Sequence, residues 1–179
     1  MKTDENGVEY PDNDERAIFY ARGVLETVKK LRWYPDIIHC QGWISAFVPL
    51  YLKKAYQEEP SFRDSKVIFS LFNDESQSSL SENIGEKVLL KTIDKEDVEI
   101  ITQPSANFQD LYKLAITYSD GIIQNSADVN PELLEYARSL GKPILDCQSS
   151  ETCINDINEF YDQIWSQGKE EIKDDNEDE

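Results

Sequence analysis

Four short apolar runs alternate along this chain with segments whose apolar residues recur at helical spacing. That alternation restricts the fold more than any other feature. Asp36 opens the first run, Ile37 and Ile38 form its core, and His39, Cys40 and Gln41 sit where that strand should end; the others lie at 66–72 (KVIFSLF), at 121–125 (GIIQN) and at 143–147 (PILDC). The second is apolar at nearly every position, as a strand covered on both faces must be. The connections are far longer than hairpin turns, so the strands are expected to run parallel through helical crossovers. The expected fold class is α/β, a Rossmann-like parallel sheet with helices on both faces.

The intervening segments read as helices. The first starts near Asn13, capped by Asp12 with Glu15, and turns Ile18, Ala21, Leu25 and Val28 inward. Lys29, Lys30 and Arg32 suit its carboxyl end, and Pro35 keeps it from entering the strand. From Trp43 to about Tyr56 one amphipathic helix is expected, with Trp43, Ala46, Phe47, Leu50 and Tyr51 on one face and a kink at Pro49. Residues 82–91 suggest a short helix, and 95–102 suit a helix or a strand. Residues 107–118 are helical, with Phe108, Leu111, Leu114, Ala115 and Tyr118 inward. Asn130-Pro131 is a start signal for a helix that Gly141 stops. A last helix spans 151–167, with Cys153, Ile154, Ile157, Phe160, Tyr161, Ile164 and Trp165 available for packing. The domain reading is a polar leader at 1–12, one domain at 13–167, and an acidic, disordered tail at 168–179.

Charge removes several classes of function. The formal net charge is −18 over 179 residues, so nucleic acid and anionic membrane surfaces are poor partners. One histidine and three scattered cysteines do not make a zinc site. Without a CxxC pair or a secretory leader, the cysteines are expected to be reduced and the protein cytoplasmic. No apolar run is long enough to cross a bilayer. The chain has no GxGxxG, P-loop or GxSxG motif.

Four segments also carry a family resemblance. WYPDIIHCQGWISAFVPLYLKK resembles the WxPDIIHxHDWHTALVPLYLK stretch of the glycogen and starch synthases, the family 5 glycosyltransferases. DNDERAIFYARGVLE is similar to that family's DNxERFxFFxRAALE, KVIFSLFND to KxVFTIHNL, and LAITYSDGIIQNS to AxxYADxVxTVS. The matches occur in family order over residues 10–137. The resemblance implies the later part of the N-terminal half of a GT-B fold. It implies glucosyl transfer from a nucleotide sugar, ADP-glucose or UDP-glucose, to an α-1,4-glucan, with no metal or other cofactor. The family's opening strand with its KTGG-type loop, and its second domain, do not appear in this sequence. The chain alone is therefore expected to be inactive. A non-catalytic glucan-binding or protein-interaction module is the alternative. A sheet of four strands is expected to leave an edge open, which predicts a marginal monomer or a homodimer through that edge.

The candidate substrate-binding residues are His39, Gln41, Asn73 and Ser126. In sheets of this class ligands collect at the carboxyl ends of the strands, and these residues are expected to emerge there along one rim. His39 matches the family's first motif histidine. It could donate to a sugar hydroxyl or a phosphate, or be a satisfied, half-buried side chain that fixes the turn. Gln41 stands at the second histidine, Gly42 where the family often has Asp, and Ile44 at the third. An isoleucine neither titrates nor donates, so the family role is lost at that position. Ser45 suits a cap. Asn73 matches the Asn of TIHN, with Phe72 replacing its His, and Asp74 and Glu75 follow in a polar loop. Ser126 matches the Ser of TVS. Tyr118 and Asp120 match YAD and read as structural. Trp33, Tyr34 and Trp43 could stack on sugars, although core packing is the plainer use.

Overall fold

The computed structural model describes residues 2–73, 79–147 and 153–174. Helix α1 (Asn13–Lys30) leads into strand β1 (Ile37–Gln41). A 3₁₀ turn at Trp43–Ser45 follows, then α2 (Val48–Leu50), which continues as a π-helical turn at Tyr51–Ala55. Strand β2 (Lys66–Leu71) precedes the short helices α3 (Ile84–Lys87) and α4 (Glu99–Thr102). Helix α5 (Phe108–Thr117), β3 (Gly121–Gln124), α6 (Pro131–Ser139), β4 (Ile144–Asp146) and α7 (Cys153–Asp174) complete the order. The sheet is wholly parallel in the order β1-β2-β3-β4. It is the expected α/β architecture.

Alternation along each strand divides the side chains between two faces. Ile38, Cys40, Val67, Phe69, Leu71, Ile122 and Ile144 turn to the larger core, which α1, α2 and α5 cover. Ile37, Ile68, Ile123 and Leu145 turn the other way and meet Ile157, Phe160 and Ile164 of α7. Burying Phe160 and Ile164 contributes about 1.5–3 kcal/mol each, with both at most 5% exposed. Gly121 makes room for them. A Cβ there would lie 2.9 Å from Phe160 Cζ and from Ile164 Cδ1.

Several local expectations are corrected. Asp12 makes no side-chain cap to α1; its carboxylate pairs with Arg16 at 3.0 Å instead. The leader is tied down: Thr3 bridges Glu9, and Asn13 Nδ2 donates to the Lys2 carbonyl at 2.9 Å. The stretch from Trp43 to Tyr56 is not one kinked helix. Pro49 sits in the first turn of α2, where its missing N–H breaks no bond, and the chain then widens to π geometry. Of the two readings left open for 95–102, the helical one holds, over 96–102. Ile154 is exposed, and α7 runs on to Asp174; residues 175–179 of the acidic tail lie outside the described residues. The cysteines are not all reduced. Cys147 and Cys153 form a disulfide with their Cα atoms 5.6 Å apart, and Cys40 alone stays free and buried.

The start signal at α6 holds in detail, and α5 has a cap that the sequence reading did not name. Asn107 Oδ1 accepts from Gln109 N and Asp110 N, and Asp110 Oδ2 accepts from Asn107 N at 3.0 Å, a complete capping box. Asn130 Oδ1 accepts from Glu132 N at 3.0 Å ahead of Pro131.

Candidate functional site at the strand ends

Because the strands are parallel, their carboxyl ends share one edge. Gln41 is the last residue of β1. Asn73 and Ser126 each lie two residues past the ends of β2 and β3, and Leu71 pairs with Gln124, so the two emerge in register. Gln41 and Asn73 are exposed and Ser126 is half-buried. Ser126 Oγ accepts from Asp128 N at 3.3 Å, and its carbonyl accepts from Gln124 Nε2 at 3.1 Å. Asp74 and Glu75 lie outside the described residues.

His39 is not at the rim itself. It is the central residue of β1, two positions inside Gln41, with its ring on the α7 side of the sheet. Nδ1 is 2.6 Å from the Tyr161 hydroxyl, and Nε2 is 2.6 Å from Ser70 Oγ. Ser70 is fully buried and also accepts from Asn125 Nδ2 at 2.9 Å. The Ser70 and Tyr161 hydroxyls can each donate or accept, so either neutral tautomer of the ring satisfies both nitrogens. Tyr161 stands edge-on to the imidazole, with ring centroids 5.7 Å apart. Burial lowers the His39 pKa and raises that of Tyr161, so both are neutral near pH 7. Both ring nitrogens are engaged within the protein, the geometry of a satisfied histidine.

The turn after β1 is fixed by its own residues. Gly42 has φ +66°, a region open to glycine at little cost. Ser45 Oγ donates to the carbonyls of Gln41 and Gly42 at 2.9 and 3.1 Å, holding Gln41 in place. Ile44 packs on the larger core, and Trp43 meets Phe108 edge-on at 6.2 Å. Tyr118 and Asp120 belong to the other end of the sheet. Asp120 Oδ2 accepts from Val67 N at 2.7 Å and pairs with Lys53 at 2.6 Å, and Tyr118 bonds Asp97. Trp33 and Tyr34 precede β1, also at that far end, and are 62% and 61% exposed, so they neither pack in the core nor join the rim.

Sequence reasoning missed Ser70, Asn125 and Tyr161. Ser70 did carry a signal: a hydroxyl inside a doubly covered strand must find a partner. Tyr161 carried none, because only the tertiary placement of α7 brings it to β1.

Residues 3–143 match the model of the starch synthase catalytic domain. The chain belongs to that family. The glycogen synthase of Chlorobium limicola is 31% identical over 129 residues, which is 69% of this chain and 26% of that protein. The glycogen synthase of Clostridium perfringens is 33% identical over 125 residues, 68% of this chain and 25% of that one. Against these curated relatives the starch synthase-like chain spans about a quarter of their length. Among solved structures, the catalytic domain of starch synthase IV from Arabidopsis thaliana, bound to ADP and acarbose, superposes with a TM-score of 0.55 at 20% identity. That likeness covers 77% of this chain and 30% of the other and is a likeness of fold. The family match ends before β4, so Gln41, Asn73, Ser126 and His39 lie inside it, while Tyr161 and the disulfide lie outside it.

Proposed function

We propose that this chain is the acceptor-facing part of a glycogen or starch synthase-like glucosyltransferase, the N-terminal half of a GT-B enzyme acting in glycogen biosynthesis in the cytoplasm. The overall reaction is transfer of glucose from ADP-glucose or UDP-glucose to the non-reducing end of an α-1,4-glucan. One observation carries the acceptor assignment. The strand-end segments 41–43, 71–73, 124–130 and 146–147 offer neutral amides and hydroxyls from Gln41, Asn73 and Ser126, together with the acids Asp128 and Asp146, and contain no Lys or Arg. A diphosphate needs cations or converging N–H donors, whereas a glucan needs hydrogen-bonding partners for neutral hydroxyls. His39, neutral and engaged at both nitrogens, orders the rim from beneath and does not supply a proton. Titration of the chain with maltoheptaose and, separately, with each nucleotide sugar tests this assignment. Saturable glucan binding, with no detectable nucleotide-sugar binding and no glucose incorporation, is expected. Turnover by the chain alone, or tighter binding of the nucleotide sugar, overturns the assignment.

A non-catalytic glucan-binding module is the second reading, favoured by Ile44 at the position of the family's third motif histidine and by exposed Trp33 and Tyr34. Retention on amylose that survives Gln41→Ala and Asn73→Ala but is lost in Trp33→Ala/Tyr34→Ala would select it. Self-pairing through the β1 edge, an outer strand of the sheet, belongs to the same proposal, and sedimentation at micromolar concentration tests it.

A further inference from the structure

The disulfide sits at a junction that the proposed function does not use. Cys147 follows β4 and Cys153 opens α7, six residues on. The bond therefore ties the carboxyl end of the sheet to the start of the helix that covers its second face. Eight residues further along the same helix, Tyr161 holds Nδ1 of His39. We propose that Cys147 and Cys153 are a reversible dithiol–disulfide site, opened by a small dithiol or a dithiol protein, that locks α7 onto the sheet and so sets the His39–Ser70–Asn125 chain beneath the rim.

The two sulfurs are not equivalent. Cys147 is buried and Cys153 half-exposed, so a reductant thiolate attacks Sγ of Cys153. The Sγ–Sγ bond breaks and Cys147 leaves as a thiolate that takes up a proton. The reductant's second thiol then attacks the mixed disulfide, releases Cys153, and leaves as an intramolecular disulfide. Two electrons and two protons pass to the protein, and the dithiol is oxidised. The third cysteine does not compete. Cys40 is buried in the larger core on the opposite face of the sheet, and burial pushes its thiol up to about 12. In the reducing cytoplasm that the proposed function implies, a cross-link with one half-exposed sulfur is open to reduction.

The test uses the full chain, and its single histidine gives one imidazole signal to follow. Air-oxidised protein, denatured before alkylation, is expected to show one reactive thiol, and dithiothreitol-treated protein three. On reduction, amide protection over the first turns of α7 should fall roughly tenfold or more, and the His39 ring signals should shift. Cys153→Ser should reproduce the reduced state and ignore dithiothreitol. Tyr161→Phe should leave the fall in α7 protection intact but remove the effect of reduction on His39. Three free thiols after oxidation overturn the proposal, as do α7 protection and His39 signals unchanged by reduction. None of these readouts depends on whether the rim binds glucan.

Discussion

Ser70→Ala is the sharpest perturbation of the polar chain, because Ser70 is its middle and is fully buried. Removing Oγ leaves His39 Nε2 without the hydroxyl now 2.6 Å away and Asn125 Nδ2 without its acceptor at 2.9 Å. Stranding a half-buried imidazole nitrogen costs about 1–3 kcal/mol. Asn125 is half-exposed and recovers water, so its loss adds less than about 1 kcal/mol. The mid-range sum, about 2.5 kcal/mol, corresponds to a fall of roughly 5–10 °C in Tm for a chain of this size. Thermal unfolding by circular dichroism measures the fall, and ¹⁵N spectra of the single histidine report the tautomer. Tyr161→Phe closes a double-mutant cycle, since both partners act on one ring and should couple. A Tm within 1–2 °C of the parent (about 0.5 kcal/mol), with an unchanged imidazole spectrum, would refute the reasoning, since the chain would then be mere proximity.

Three further outcomes are expected. Gly121→Ala should cost about 1–3 kcal/mol by overpacking, because its methyl would crowd Phe160 and Ile164 at 2.9 Å; urea unfolding checks this. The folded pKa of His39 is lowered by burial, so the folded state binds fewer protons than the unfolded chain. Stability from this group is therefore present above about pH 6.5 and is lost as pH falls toward the folded value, with a slope of at most about 1.4 kcal/mol per unit. Urea midpoints between pH 8 and 5 measure that slope, and His39→Gln should flatten it. Asn107→Ala should remove the capping box of α5 at a cost of about 1 kcal/mol, read in the same assay.

The parallel sheet was legible because burial on both faces writes itself into runs such as KVIFSLF, and a cap residue such as Asn130 acts through neighbours a few positions away. The stretch after β1 was misread for a physical reason. Trp43, Ala46, Phe47, Leu50 and Tyr51 repeat at helical spacing whether the backbone is α, 3₁₀ or π, and only hydrogen bonding separates these. Strand register was the second limit. Apolar runs show where a strand passes through the core, yet β1 continues through His39, Cys40 and Gln41, whose mixed character suggested an ending. That difference moved His39 from the rim into the sheet. The cysteine pair failed because redox class was inferred from compartment and motif, while pairing depends on a distance between β4 and α7 that composition does not encode.

Charge placement separates the two ends of this sheet. At the amino end, Lys53 pairs with Asp120, and Lys142 Nζ donates to the carbonyls of Thr117 and Ser119 at 3.0 and 2.7 Å. Those cations close the helix-to-strand turns and are held by carbonyl and carboxylate oxygens. Among the described residues the carboxyl end carries neutral hydrogen-bonding groups and acids, resting on a neutral histidine of β1 whose two partners come from β2 and α7. In a chain of charge −18 such a rim repels a phosphate at long range and does not attract one at short range. An uncharged polyol meets neither penalty. The proposed assignment of this edge to a glucan therefore rests on which charges the fold has committed elsewhere, as much as on the residues that face outward.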